Sequence, residues 1–208
     1  MYKKFFNMDN PFWRGMGRIF DVFVLNVLWL LCCLPVLTAG AATTAMYSVL
    51  FQYITDQDNE VLKPFLRAFR ENFAQATPLW FLNLLVGLAL GAEAFYLISS
   101  TQIWLKGIWG ALLFIYAGAS SYLYPLLARY DSPRKKALFN SFALSLRHLF
   151  STVCVVILNA LPLVLVLFAP AVFWRTILWW TLAGFSVIGY FNGKILWAVF
   201  RRYEPKQE

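Results

Sequence analysis

The polar residues of this chain that could do chemistry stand inside long apolar segments. Asn26, Asn83 and Asn159 each follow a leucine in such a segment, and Glu93 is the one carboxylate between residues 79 and 130. Polar groups at membrane depth are costly and are default candidates for a functional site. We therefore expect these four residues to line a polar ligand site between helices. The alternative is that the asparagines hydrogen-bond neighbouring helices, at about 0.6 kcal/mol each.

Two further charged residues lie about one turn inside the ends of apolar segments. Asp21 and Lys194 fall in the first and last of these segments, which predicts an ion pair between them. Lys194 extending alone to the lipid headgroups explains its position equally well. For Glu93 we expect a contact with Lys106, with Arg175 or with exterior water.

Residue patterns typical of enzymes are absent from the sequence. The chain has one histidine, three cysteines that all lie in apolar runs, and no phosphate-binding loop. These counts support neither a metal site, nor a disulfide framework, nor a nucleophile with its base. The sequence therefore predicts no catalytic residues, no metal, no cofactor and no enzymatic activity.

The composition predicts that lipid is the solvent of this chain. Hydrophobic residues make up 61% of the sequence and charged residues 13%, whereas soluble domains carry about 25% charged residues. The net charge of +8 would suit nucleic acid in a soluble protein. In a membrane protein it is explained by the anionic bilayer, so we expect the lipid bilayer, and no nucleic acid, as a partner.

Residues 22–55 carry no charged side chain, which is enough chain for two crossings broken at Pro35 and Gly40. The whole pattern predicts one membrane domain over residues 1–208, an all-α polytopic bundle of six spans in three hairpins. The spans are expected at about 19–36, 37–54, 78–98, 104–127, 150–169 and 176–198, and basic amphipathic segments precede the hairpins at 1–18, 55–77 and 128–149. Small residues around Gly40 would let a neighbouring helix approach. An interfacial or re-entrant course remains the alternative for 37–54.

The distribution of basic residues predicts the topology. With six crossings, Lys106 and Arg175 fall on one side of the membrane and the other Lys and Arg residues on the opposite side. Basic residues accumulate on the cytoplasmic side, so we expect a cell-membrane protein with both termini in the cytoplasm. A Leu-Asn pair in the first span of each hairpin suggests three units related about the membrane normal.

Two motifs resemble those of a known family. Asn26-x-x-Trp29 followed by Leu34-Pro35-x-x-Thr38-x-Gly40-Ala41 resembles the opening signature of the YesL-like family of uncharacterised bacterial membrane proteins. Phe65-x-x-x-Phe69-x-x-Asn72-Phe73-x-x-x-Thr77 is similar to its second signature. The structural-motif residues are accordingly Trp29, Pro35, Thr38, Gly40, Ala41, Asn72 and Phe73. Beyond the first 80 residues the resemblance is one of hydropathy only.

The resemblance implies a role rather than a chemistry. Members of the family tend to be encoded beside carbohydrate ABC-transport components, which implies an accessory role in sugar uptake with transporter permease subunits as partners. No catalytic residues follow from it. The alternatives are a small-molecule transporter or substrate-binding membrane subunit that uses the polar residues between the helices, and a membrane-bound sensor or regulator.

Overall fold

The computed structural model describes residues 11–55, 60–98 and 101–204, which contain helices and no strand. The helices are α1 (Pro11–Cys33), α2 (Ala39–Ile54), α3 (Leu62–Ile98), α4 (Ile103–Arg129), α5 (Arg134–Arg147), α6 (Leu149–Phe168), α7 (Pro170–Arg175) and α8 (Ile177–Phe200). A 3-10 turn, Val36–Thr38, joins α1 to α2, and α8 contains a π-helical turn, Trp180–Gly184. The predicted all-α class is confirmed.

Four helices, α3, α4, α6 and α8, are long and apolar enough to cross a membrane. They contain the predicted spans 78–98, 104–127, 150–169 and 176–198, except that residue 169 follows the end of α6 and residue 176 precedes the start of α8. Large apolar side chains on their outer faces are exposed, such as Leu88 and Ile157, as expected where lipid replaces water. Helix α1 has 23 residues and α2 only 16, so the sixfold crossing and the cytoplasmic termini stay predictions.

Helix α3 joins two segments that the sequence separated. Residues 62–77 of the predicted amphipathic segment 55–77 and the span 78–98 form one helix of 37 residues that continues through Pro78. Proline removes one backbone donor, which leaves the carbonyl four residues earlier, that of Ala74, without its helical partner. Arg134 of α5 donates to this carbonyl oxygen at 2.7 Å. The helix therefore tolerates its proline because α5 supplies the missing donor.

The described part of the first predicted amphipathic segment likewise belongs to the helix that follows it. Residues 11–18 of the predicted arm 1–18 belong to α1, and residues 1–10 lie outside the described part of the chain. The third predicted segment, 128–149, contains α5, which packs along α4. Ser145 of α5 faces Gly118, where an added Cβ would lie 3.3 Å from the serine Cβ.

Helix α2 is the centre of the bundle, and small residues place it there. Eleven of its 16 residues are buried, and it packs against α1, α3, α4 and α8. A Cβ on Gly40 would lie 2.6 Å from the Cβ of Trp80 and 2.9 Å from the carbonyl oxygen of Ala76. Only glycine allows α2 and α3 to come this close, which confirms the close approach predicted for the small residues.

Candidate functional site

Asn26 holds together the irregular turn of α8. Its side chain is fully buried; Nδ2 donates to the carbonyl oxygens of Trp180 and Thr181 at 3.1 and 2.7 Å. Its Oδ1 accepts the backbone N–H of Ser186 at 2.9 Å. In a π turn the i→i+5 pattern disturbs the regular backbone ladder. Asn26 therefore hydrogen-bonds the backbone of α8 around this turn.

Asn83 lies between α3 and α4. Ser120 donates its hydroxyl to Asn83 Oδ1 at 2.7 Å, and the Tyr116 hydroxyl donates to the backbone carbonyl of Asn83 at 2.8 Å. Asn83 Nδ2 makes a longer contact of 3.4 Å to the hydroxyl of Tyr124. Asn83, Tyr116 and Ser120 line a cavity of about 250 Å³ that also borders α5.

Asn159 is the middle member of a directed chain of hydrogen bonds. Asn192 Nδ2 donates to Asn159 Oδ1 at 2.7 Å, Asn159 Nδ2 donates to Ser121 Oγ at 3.0 Å, and Ser121 donates to the carbonyl oxygen of Ala117 at 2.7 Å. The chain links α8, α6 and α4. Asn192 is fully buried, and its Oδ1 has no hydrogen-bond partner within the described residues. Sequence reasoning missed Asn192, although it also follows an apolar residue in an apolar segment.

The three predicted asparagines have separate partners. Asn26 contacts the backbone of α8, whereas Asn83 and Asn159 contact the adjacent residues Ser120 and Ser121 of α4. Each asparagine thus makes an interhelical hydrogen bond. The structure joins two of them through neighbouring serines and places the third against another helix.

The predicted charged residues lie apart from these asparagines. Glu93 is exposed and borders a cleft of about 500 Å³ between α3 and α4, together with Tyr96 and Trp109. None of the ion pairs between described residues joins Glu93 to Lys106 or Arg175, or Asp21 to Lys194. Lys194 is exposed, and its Nζ lies 4.7 Å from the ring centroid of Tyr190.

The first family-like motif forms the corner between α1 and α2. The Trp29 indole N–H donates to Thr43 Oγ1 at 3.1 Å across the two helices. Thr38 donates its hydroxyl to the carbonyl oxygens of Cys32 and Pro35, on either side of the break. The bond to Cys32 satisfies a backbone carbonyl that the end of α1 would leave without a partner.

Trp80 and the close approach of Gly40 attach this corner to α3, whereas the motif residues Asn72 and Phe73 make contacts within α3. The Trp80 indole donates to the carbonyl oxygen of Val36 at 2.7 Å, close to the contact between Gly40 and α3, and the next residue, Ala41, is fully buried. Phe73 packs on Phe69 with ring centroids 5.7 Å apart. Asn72 donates to the carbonyl oxygen of Ala68 in its own helix at 2.9 Å.

A cluster that sequence reasoning missed surrounds Arg129 at the end of α4. The guanidinium lies 3.4 Å from the ring centroid of Trp197, and its Nε donates to Glu204 Oε1 at 2.8 Å. Tyr130 donates to the same carboxylate at 3.2 Å. The Arg129 side chain is only 13% exposed. In the sequence these residues lie near the ends of the apolar segments, where basic residues are common. Nothing in the sequence indicates that they contact one another.

The segment after α8 makes a second contact at the junction of α5 and α6. The Tyr203 hydroxyl lies 2.7 Å from Nε2 of His148. Burial and the charges of Arg202 and Arg147 lower the pKa of His148 below its ordinary value. Hydrogen bonding to Arg129 lowers the pKa of Glu204. The residues that follow α8 are thereby attached to both α4 and α5.

Two polar grooves lie at the same end of the molecule as these contacts. One, of about 470 Å³, is lined by Ser48 and Gln52 of α2 and by Lys63, Arg67 and Glu71 of α3. The other, of about 520 Å³, lies where Gln75 and Arg134 meet the α4–α5 connection. Among the described residues, no three His, Cys, Asp or Glu side chains are close enough to hold a metal ion.

The comparison with protein families gives one match. Residues 22–94 match the model of a family described as "Protein of unknown function, DUF624". The match confirms the predicted resemblance to the YesL-like family, and it covers the α1–α2 corner and most of α3. Neither the curated proteins nor the solved structures gave a significant match.

Proposed function

We propose that this chain, with its match to the DUF624 family over residues 22–94, is an accessory membrane protein of carbohydrate uptake. In this proposal it contacts a permease subunit of a sugar ABC transporter through α2 and the N-terminal half of α3. The sugar connection comes from the family resemblance alone. The docking role is supported by the geometry of α3.

The length of α3 is the observation that carries the proposal. Its 37 residues measure about 55 Å at 1.5 Å per residue, whereas the hydrocarbon core is about 30 Å thick. About 25 Å of helix therefore extends beyond the core. This part is the amphipathic half, and α2 packs along it. The proposal therefore adopts the interfacial alternative for residues 37–54, in which the two helices form a stiff surface outside the lipid.

The chemistry of this surface suits a polar protein partner. Arg67 pairs with Glu71 at 3.0 Å, but both side chains are largely exposed. Exposed pairs of this kind contribute about 0–1 kcal/mol, so a partner can replace them at little cost. Lys63 and Arg67 line the groove between α2 and α3, and Arg70 is exposed on the same half of α3, so this surface is basic.

The experiment that tests the docking role is a pull-down in mild detergent from cells grown on a polysaccharide. Transporter permease subunits should be recovered in fixed ratio with the wild-type chain. The variant R67E/R70E should lose them, and K106E/R175E, which makes the same charge change at the predicted opposite side, should keep them. A solitary or self-associated protein would contradict the proposal, as would equal recovery with both variants.

One observation favours a second candidate, a small-molecule transporter or substrate-binding membrane subunit. The buried Oδ1 of Asn192 has no partner in the described part of the chain, and it ends the chain of hydrogen bonds through Asn159. In this candidate the substrate path passes Asn192, Asn83 and Glu93, so N192L, N83L and E93Q should each reduce uptake at normal protein levels while R67E/R70E does not. Uptake that is unchanged in all three variants would exclude this candidate.

A further inference from the structure

The cavity of about 250 Å³ between α3, α4 and α5 is mostly apolar. Its lining is Leu79, Leu82, Asn83, Val86, Tyr116, Ala119, Ser120, Leu123, Leu138, Ser141 and Phe142. Leu82, Val86 and Phe142 are 41–47% exposed on the outside of the bundle. The cavity therefore borders the surface that faces lipid if α3 and α4 cross the membrane.

The polar groups of this cavity are mostly engaged with each other. Ser120 and Tyr116 donate to Asn83, and Ser141 donates to the carbonyl oxygen of Leu138 at 2.8 Å. The volume is also below the roughly 300–1,000 Å³ of sites that enclose a drug-sized molecule. A polar solute would find few free hydrogen-bond partners here, whereas a section of hydrocarbon chain fits the lining.

Helix α5 places two cations in register with this cavity: Arg134, which donates to the carbonyl oxygen of Ala74, and Lys135. At 3.6 residues per turn, Lys135 lies on the same stripe as Leu138 and Phe142, three and seven residues later. Lys136 is turned about 100° away from it, towards the stripe that holds Asn140. Lys135 is exposed and belongs to none of the ion pairs between described residues.

The N-terminus of α5 also lies at a suitable height. Arg134 and Ser132 contact Ala74 and Gln75 of α3, and the cavity begins at Leu79, about one turn further along α3. The acidic side chains nearby, Glu71 and Asp131, line a separate groove. A cation therefore stands where a lipid headgroup would lie when its chain occupies the cavity.

We propose that the cavity binds one acyl chain of an anionic phospholipid whose phosphate contacts Lys135. The chain contributes apolar burial against Leu82, Val86 and Phe142. The lysine contributes attraction to the negative headgroup, as basic residues do at membrane surfaces. This site is independent of the proposed docking surface, because it uses α4 and α5 and the apolar half of α3.

The headgroup contact is tested by native mass spectrometry of the detergent-purified full chain titrated with phosphatidylglycerol or phosphatidylethanolamine. Phosphatidylglycerol should bind more tightly to the wild-type chain. The variant K135Q should weaken its binding about fivefold, which is the effect of about 1 kcal/mol per basic residue, and K136Q should leave it unchanged. Equal losses in both variants would mean general surface attraction and would overturn the proposal.

The chain contact is tested separately with A119F, which fills the cavity from α4, and by competition with glycerol phosphate. A119F should abolish the preference for phosphatidylglycerol over phosphatidylethanolamine at unchanged thermal stability. Since A119F can fail to fold, the competition keeps the proposal open to refutation. Millimolar glycerol phosphate should displace no lipid, and displacement would show that the site binds the headgroup alone.

Discussion

The contacts of Asn26 predict that N26L is among the most destabilising single substitutions in the chain. The side chain makes three hydrogen bonds to backbone groups of α8 from a fully buried position. At about 0.6 kcal/mol for each interhelical bond in a membrane, the loss is about 2 kcal/mol. Unpaired buried groups that cannot find new partners raise it to about 4 kcal/mol.

Thermal unfolding in mild detergent measures this loss. For a chain of this size 1 kcal/mol corresponds to about 2–4 °C, so the Tm of N26L should fall by roughly 5–15 °C. The matched control is N72L, because Asn72 bonds only a carbonyl of its own helix. Its Tm should change by no more than about 2 °C. If the Tm of N26L falls no further than that of N72L, the hydrogen bonds to α8 do not stabilise the packing of α1.

A double-mutant cycle asks whether Asn26 acts through the π turn. An i→i+5 turn holds one residue more than an α-helical turn, so deletion of Leu182, which is half exposed, should restore regular α-helix. The deletion should destabilise the wild-type chain because Asn26 then loses its backbone partners. In the N26L background it should cost at least about 1 kcal/mol less. Additive effects would contradict a link between the asparagine and the turn.

Three further predictions concern packing and charge. G40A should lower Tm by roughly 3–8 °C, since overpacking costs about 1–3 kcal/mol, whereas G91A, with open space around its Cβ, should be neutral or stabilising. Thermal stability should fall as pH drops from 7.5 to 5.5. The native contacts lower the pKa of His148 from 6.5, so the unfolded chain takes up the proton at a higher pH than the folded chain. H148Q should abolish that fall. E204Q should lower Tm at pH 7, when the bond to Arg129 uses a charged carboxylate, and wild type and variant should converge below pH 4.5, where Glu204 gains its proton.

Hydropathy predicted the positions of the long apolar helices, because these depend on amino-acid composition alone. The spans near 78–98 and 104–127 could be placed because lipid-facing helices must be apolar over about 20 residues. Gly40 could be recognised because a small residue beside a proline break has few uses other than close packing. Residues 62–77 could not be assigned to the same helix as the span, because Pro78 normally signals a boundary and the compensating donor, Arg134, is distant in sequence.

The sequence predicts that these polar side chains form hydrogen bonds, but it does not predict which groups they bond. An asparagine in an apolar segment must find hydrogen bonds somewhere, which is why Asn26, Asn83 and Asn159 were candidates. That Asn26 contacts backbone groups depends on a π turn, which leaves no trace in periodicity. Arg129 was counted as one basic residue among several, since nothing local shows that Trp197 and Glu204 will surround it.

The link between Pro78 and Arg134 has a mechanical consequence. Without the proline N–H, α3 can bend there at low cost, and the bend angle depends on how closely α5 holds the Ala74 carbonyl. The angle between the two halves of α3 can therefore change, and the contact with α5 limits that change. In the proposed function, a force on the N-terminal half of α3 would tilt the C-terminal half by an amount that depends on the contact with α5. Spin labels on either side of Pro78 should report a wider spread of distances in R134A than in K135A.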